Sequence, residues 1–450
     1  MGAFHAYDIR GIYNKDFDKE TVYKVGFFLP ELLGADKVVV GRDDRKSSPE
    51  MHQALLKGIT DAGSDVYDLG LSTTPMVYFA TGKYGFKASA QITASHNPKE
   101  YNGLKISREN ALPVGFDTGL GMLKEWIETR EVLVVEKKGV VHNLDIRKEY
   151  IDFLLKYKKD LSGLKIGMDL SNGMAALLVK DVIGEGSDGL KYIFDQLDCT
   201  FPNHEANPLL PENIVDLQNL VKGEKCDIGV IFDGDADRVM FVDENGRFIS
   251  PDLMIALLGH YFLEERGEKG AVLQDIRSSK AVGEYLTPMG AEMHTWRVGR
   301  AFAALKLREI DGVYGGELAG HYYFRDFFYS DSGIMAALII LGIVAKKKRE
   351  GISLSEAIAG IEKYNNSGEI NFRIERKKDA MDKVRGYFTS TEKATANYDF
   401  DGYRVEFEDW WFNIRPSNTE PYLRFIAEAR GEGLLKSKVE KVRELLREFE

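Results

Sequence analysis

Cysteine is nearly missing: Cys199 and Cys226 are the two in a chain of 450 residues. They stand too far apart for a CxxC pair and are too few for a disulfide framework, so each reads as a buried small hydrophobe. Proline is scarce as well, 12 residues beside 44 glycines, within a composition 44% hydrophobic and 29% charged that belongs to a soluble globular protein. There is no surplus of basic charge. Sixty Lys and Arg against 71 Asp and Glu give −11, which disfavours nonspecific binding to nucleic acid or an anionic membrane. No apolar run is long enough to span a membrane. The longest, Ile334 to Ala345, has 12 residues where a span needs roughly 20, so it is expected to be a helix buried in a core. The opening Met1 to Gly11 carries charges and no apolar stretch, and Ala6 stands where a myristoylation signal needs Ser or Thr. These absences lead to the expectation of a soluble, cytoplasmic protein without nucleic-acid or membrane partners.

At roughly 150 residues per domain the length suits three or four domains. A recurring unit is visible. Lys37–Arg45, Lys165–Gly173 and Ala271–Ser279 each carry a short apolar run closed by an aspartate (Asp43, Asp169, Asp275), then a polar loop and helix-like sequence. Apolar strands alternating with helical periodicity predict parallel α/β layers, three times over. After the polar stretch Lys363–Gly368 the chain changes to short strands. It ends in Leu434–Phe449, where Leu435, Val439, Val442, Leu446 and Phe449 form one apolar helical face, so a smaller α+β domain is expected there. Softer boundaries fall near His142 and near Ser250–Pro251.

Four loops carry chemistry. In Asp227–Asp243, Asp233, Asp235 and Asp237 alternate between two apolar strands. Three carboxylates so close repel one another, and a shared divalent cation is the simplest way to keep all three ionised; magnesium suits a few carboxylates plus phosphate. An EF-hand is excluded by Arg238 at its glycine position and by flanks that read as strands. A phosphotransferase of the haloacid-dehalogenase type, with Asp233 as nucleophile, would leave the other loops unexplained. In Gln91–Lys105, Ser95 and His96 precede an Asn97–Pro98 turn. Without G-x-S-x-G, and with Ser and His adjacent, a hydrolase triad is disfavoured, and a serine that carries a phosphoryl group fits better. Lys105 could move a proton or hold phosphate. Tyr314–His321 sets three glycines around Glu317 and His321, a carboxylate and an imidazole able to bond sugar hydroxyls. Arg415–Pro421 joins a guanidinium to Ser417, Asn418 and Thr419, donors suited to a phosphate monoester dianion.

Taken in order, Thr93–Pro98 (TASHNP), Asp233–Arg238 (DGDADR), Gly315–His321 (GGELAGH) and Arg415–Pro421 (RPSNTEP) resemble the α-D-phosphohexomutase family across essentially the whole chain. The resemblance implies three α/β domains of shared topology, residues 1–142, 143–250 and 251–364, around a cleft. A fourth, α+β domain resembling the TATA-binding-protein fold would follow at 365–450. It implies phosphoserine at Ser95, Mg²⁺ on Asp233, Asp235, Asp237 and a phosphoserine oxygen, and a hexose 1,6-bisphosphate as intermediate and activator. Lys105, His96 and His321 become acid/base candidates, and Arg238, Arg10 and Tyr7 match active-site positions, with Arg277 lining the cleft. Glu317 would take the sugar O3 and O4 hydroxyls, while Arg415, Ser417, Asn418 and Thr419 would hold the non-reacting phosphate. The opening AYDIRG and the SNTEP wording resemble the phosphomannomutase/phosphoglucomutase branch; the FGTxGxRG opening of phosphoglucosamine mutases is absent, although that substrate stays the alternative. Two positions depart from the family. Ala319 stands where Ser is usual, and Arg300 where His is common, which weakens proton transfer there but keeps phosphate binding. A binder without turnover would have no need of Ser95, Lys105 and the three aspartates together. Oligomeric state is not legible.

Overall fold

The computed structural model describes residues 2–417 and 422–449. Four sheets succeed one another along the chain, and the first three repeat one strand order. In each, a first apolar strand (Lys37–Arg42, Ile166–Asp169, Gly270–Asp275) lies between two parallel neighbours. The second strand (Asp65–Leu71, Leu190–Ile193, Ala291–Trp296) flanks it on one side and the third (Ala88–Ile92, Ile228–Phe232, Tyr314–Gly316) on the other. A fourth strand (Tyr101–Arg108, Val239–Asp243, Tyr322–Phe324) then returns antiparallel to the third. The sequence predicts parallel layers, and this return is where the structure differs. The cause is the length of the turns 93–100, 233–238 and 317–321, too short for the crossover of about a dozen residues that a parallel pairing requires.

Local signals fix the helices that matter for the cleft. Thr73 caps Thr74–Tyr84 by accepting the Met76 N–H, with Pro75 in the first turn, so Thr74 opens the helix. Ser332 caps Gly333–Arg349, whose residues Gly333 to Ala345 are all buried. The longest apolar run is thus a core helix, as expected, in a hydrophobic cluster shared by the three α/β units. Among the described residues no helix is long and apolar enough to cross a membrane.

The last unit is an antiparallel sheet with its own core. Its strands include Tyr403–Glu406, Trp410–Pro416 and Tyr422–Ala429, packed with helices Lys377–Thr391 and Glu432–Leu446. The closing helix begins at Glu432 and gives way to a single 3₁₀ turn at Arg447–Phe449. Helix Lys377–Thr391 escapes the sequence reading because charged residues dilute its few buried positions, Ala380, Met381, Val384 and Phe388.

Candidate active site

The turn from third to fourth strand carries the distinctive residues in all three α/β units: Ser95 in the first, the aspartates in the second, Glu317 and His321 in the third. Ser95 adopts φ +53°, a left-handed conformation that costs a non-glycine residue roughly 1–2 kcal/mol. Its N–H donates to Thr93 Oγ1 at 2.9 Å, and its carbonyl accepts from Arg45 Nη2 at 2.9 Å. Its hydroxyl donates to Asp233 Oδ2 at 3.0 Å and lies 3.3 Å from His96 Nδ1. Gly234 is required here, because a Cβ would fall 2.4 Å from the Ser95 carbonyl oxygen.

Asp233, Asp235 and Asp237 are fully buried, with ligand oxygens within 4.8 Å of one another. Lys105 Nζ donates to Asp235 Oδ2 at 2.6 Å and to Asp237 Oδ2 at 2.5 Å. The Thr74 hydroxyl donates to Asp235 Oδ2, and the Thr74 N–H to the Asp235 carbonyl. Burial and then the charges of Asp235 and Asp237 push the Asp233 carboxyl well above the usual carboxylate range. Burial also opposes ionisation of Asp237, but the Lys105 ammonium outweighs it and holds that carboxyl low. Lys105 answers in kind: burial disfavours its charge, while Asp235, Asp237 and Asp233 raise its pKa. Asp235 Oδ1 and Asp237 Oδ1 are buried oxygens with no hydrogen-bond partner among the described residues. Unpaired buried acceptors of this kind, hard oxygens all, fit a divalent cation such as Mg²⁺. Asp233 accepts both the Ser95 hydroxyl and the Arg238 N–H, which does not leave it free as a nucleophile.

Units two and three are joined at this point, since Val239 N–H donates to the Gly320 carbonyl and Gly333 N–H to that of Ala236. Arg238 Nε donates to His321 Nε2 at 3.0 Å, so His321 Nδ1 must carry the proton it shares with Asp331 Oδ2 at 2.5 Å. With both nitrogens engaged, His321 supports Arg238; a proton-transfer role would first break one of these bonds. Arg300 turns the same way, with Nε donating to Asp331 Oδ1 at 2.8 Å and its guanidinium 3.9 Å from the Tyr78 ring centre. Glu317 is buried with Oε1 accepting the Gly299 N–H at 2.7 Å, and burial raises its pKa.

A cavity of about 180 Å³ brings these parts together. Tyr7, Arg10 and Lys105 line it from the first unit, Asp237 and Arg238 from the second, and Arg300, Glu317, Ala319 and His321 from the third. Arg10 is anchored by Asp8 and by Asn97 Oδ1, and the Tyr7 hydroxyl donates to the Val298 carbonyl at 3.0 Å. Ser95, His96, Asp233, Asp235, Arg277 and Arg415 are not in that lining. Arg277 pairs with Asp275 at 2.8 Å; Arg415, on strand Trp410–Pro416, has its pKa lowered by burial and then by the like charge of Arg277. Two guanidinium groups held that near, on neighbouring units, suit a dianion between them. The Ser417 N–H donates to the Tyr422 carbonyl, while Asn418 and Thr419 lie outside the described residues. Sequence reasoning missed Arg45, Thr74 and Asp331. Asp43-x-Arg45 following an apolar strand was the one local trace of the first; Thr74 and Asp331 had none.

Three repeated α/β units whose distinctive turns meet at one site, followed by a fourth antiparallel sheet, define a multidomain class of protein, and comparison with known proteins supplies the family. The chain matches the phosphoglucomutase/phosphomannomutase family in α/β/α domain I over residues 1–125, domain II over 148–246, domain III over 250–364 and the C-terminal domain over 369–445. It is 38% identical to a phosphomannomutase of Vibrio cholerae over 100% of this chain and 99% of the relative, and 35% identical to one of Methanocaldococcus jannaschii over 99% and 97%. A crystal structure of a phosphoglucomutase/phosphomannomutase family protein from Burkholderia thailandensis superposes with a TM-score of 0.88 at 29% identity, covering 99% of this chain and 97% of that one. The chain belongs to the phosphoglucomutase/phosphomannomutase family, a family of enzymes.

Proposed function

We propose that this enzyme interconverts the 1- and 6-phosphates of mannose and glucose by passing a phosphoryl group through Ser95. The observation that carries the reading is the Ser95 hydroxyl, buried and bonded at 3.0 Å to Asp233, beside two further carboxylates, Asp235 and Asp237, that each keep an unpartnered oxygen. Asp233, Asp235 and Asp237, with an oxygen of phosphoserine, would hold Mg²⁺, which supplies charge neutralisation to the phosphoryl group.

The remaining work falls to the chain's own side chains. As the bond from phosphorus to Ser95 Oγ breaks, a sugar hydroxyl oxygen bonds to phosphorus; Oγ takes a proton from Lys105, and Lys105 recovers one from the sugar hydroxyl. Lys105 is held protonated by the aspartates, bonding Asp235 and Asp237 next to Asp233, which accepts the Ser95 hydroxyl. His96 is kept neutral by burial and by Arg238, Arg10 and Lys105, and its Nδ1 at 3.3 Å can accept the hydroxyl proton in the reverse direction. Arg238, oriented by His321, adds positive charge next to Asp233. The product is a hexose 1,6-bisphosphate, which turns over in the cleft and returns its other phosphate to Ser95. Arg415, Ser417, Asn418 and Thr419, with Arg277 opposite, hold whichever phosphate is not reacting. Glu317 accepts from the hydroxyls away from C2, so both C2 epimers fit.

The test is phosphoryl uptake. Incubated with glucose 1,6-bisphosphate and Mg²⁺, the protein gains one phosphoryl group, mapped by peptide mass spectrometry to Ser95, and Ser95→Ala gains none. A Ser95→Ala protein with full mutase activity would refute the reading.

A further inference from the structure

We propose that Arg45, tied to Asp43, is the positioning residue that sets the phosphoryl-carrying loop for transfer. The inference rests on Ser95 being the carrier. Arg45 is 1% exposed, and both terminal nitrogens of its guanidinium are spent on one segment, with the Phe201 ring 5.1 Å from its centre. Nη2 donates to the carbonyls of Ser95 (2.9 Å) and Asn97 (2.7 Å), and Nη1 to those of Pro98 (2.7 Å) and Tyr101 (3.0 Å). Nε is fixed by Asp43 Oδ2 at 3.1 Å, and the Arg45 N–H by Asp43 Oδ1 at 3.1 Å. Four main-chain acceptors on one planar fork lock the turn as a unit, which no shorter or rotatable cation can do.

The same aspartate reaches the other side of Ser95. Thr93 Oγ1, near Asp43, accepts the Ser95 N–H. Ser95 therefore has its N–H fixed by Thr93 and its carbonyl by Arg45, at a residue whose left-handed backbone would otherwise relax and carry Oγ away from Asp233. Arg10, in the cleft, is anchored on Asn97 of the same loop, so its position depends on Arg45 as well.

The other two α/β units make this arrangement distinctive. Each first strand ends in an aspartate that accepts the N–H two residues further on, at 2.7 Å for both Ser171 and Arg277. Each also steadies its unit's turn: the Ser171 hydroxyl donates to the Phe232 carbonyl, and Asp275 Oδ2 accepts the Leu318 N–H. Those are single bonds. The unit that carries the phosphoryl group uses a buried arginine and four, as expected where atomic placement decides the rate. Displacing reacting atoms by about 1 Å costs on the order of 100-fold.

The experiment compares wild type, Arg45→Lys and Arg45→Met, with phosphoserine stoichiometry by intact mass and kcat and KM for glucose 1-phosphate per folded molecule. Arg45→Lys keeps the charge and loses the fork. We expect its kcat to fall by at least tenfold, that of Arg45→Met by about 100-fold, and KM to stay within about twofold, because the phosphate clamp sits on the last unit. Guanidinium ion should restore part of the kcat of Arg45→Met. A folded Arg45→Lys with wild-type kcat and uptake overturns the proposal, as does a fall confined to melting temperature. If Arg45→Met does not fold, Arg45→Lys alone decides. Failure of the wild type to take up phosphate would instead overturn the reading of Ser95.

Discussion

Replacing Lys105 with methionine should expose how the carboxylate triad is kept stable. Lys105 and the aspartates are buried, and one ammonium serves Asp235 and Asp237 at 2.6 and 2.5 Å. Methionine keeps much of the stem's volume and removes the charge. Breaking a buried ion pair from one side costs about 3–5 kcal/mol, because the partner charge is left uncompensated. Here two partners lose it, so the upper part of that range is expected near neutral pH in EDTA. Mg²⁺ should return much of the loss. In the wild type the ammonium already offsets the negative charge that attracts a cation, so the variant should bind Mg²⁺ at least about tenfold tighter, a difference of about 1.4 kcal/mol. The assay is urea unfolding with and without Mg²⁺, together with calorimetric titration of Mg²⁺. Equal stability of both proteins in EDTA, or an equal Mg²⁺ shift, would refute the argument.

The pH dependence follows with its sign. Lys105 is raised on folding, so its contribution is complete below its unfolded value of about 10.4 and disappears as pH rises through the folded value. Asp237 is depressed, so its contribution is complete above about 4 and disappears as pH falls through its folded value. The gap between wild type and Lys105→Met should be flat between these limits and close in acid. A gap that widened on acidification would contradict the assignment.

Three further outcomes are expected. Thr74→Val deletes the hydroxyl that steadies Asp235 and should weaken Mg²⁺ binding by roughly tenfold with little change in fold, checked by Mn²⁺ competition in electron paramagnetic resonance. Arg415→Ala removes charge-assisted bonds worth about 1.5–3 kcal/mol to the distal phosphate, so KM for glucose 1-phosphate should rise about 10- to 100-fold; an unchanged KM would take Arg415 out of the clamp. Glu317→Gln keeps an acceptor for the Gly299 N–H but not the charge, and should lower kcat/KM for the mannose and glucose esters alike, which steady-state assays on both would show.

What could be read from the sequence is what is written locally. Ser95, the aspartates and Glu317 stand in short turns whose composition has no other use. The recurring strand that closes on Asp43, Asp169 and Asp275 shows the repeat before any sheet is seen. The residues that escaped notice act across the chain. Thr74 meets Asp235 161 positions away, and Arg45 addresses main-chain carbonyls, which carry no side-chain signature. His321 looked like a free imidazole until Arg238 on one side and Asp331 on the other were in place. The antiparallel fourth strands were hidden for a different reason: apolar runs do not encode direction, and turn length alone decides it.

Moving phosphate between C1 and C6 requires that a sugar bind in two orientations while the reacting centre stays fixed, and the distribution of contacts among the four units meets both demands. The aspartate turn and the Glu317 turn are sewn together by main-chain bonds and by the Arg238–His321–Asp331 chain, so Glu317 cannot drift from the aspartates. The last unit is attached differently. Arg404 donates to the carbonyls of Ile276 and Ser278, Ser279 Oγ to Glu428, and Lys280 Nζ to Phe407, all on one short strip beside Arg277. Asp401 also accepts the Val298 N–H, Trp296 packs on Phe400 and Arg430 pairs with Glu284. The unit, which has a core of its own, can therefore tilt about the strip only by loosening these contacts, none of which is made by the triad. On the proposed reading, such a tilt would open and close Arg415 over the distal phosphate while Ser95 and Glu317 stay where they are, so that a bisphosphate could be released at one end, turned, and caught again by the same clamp.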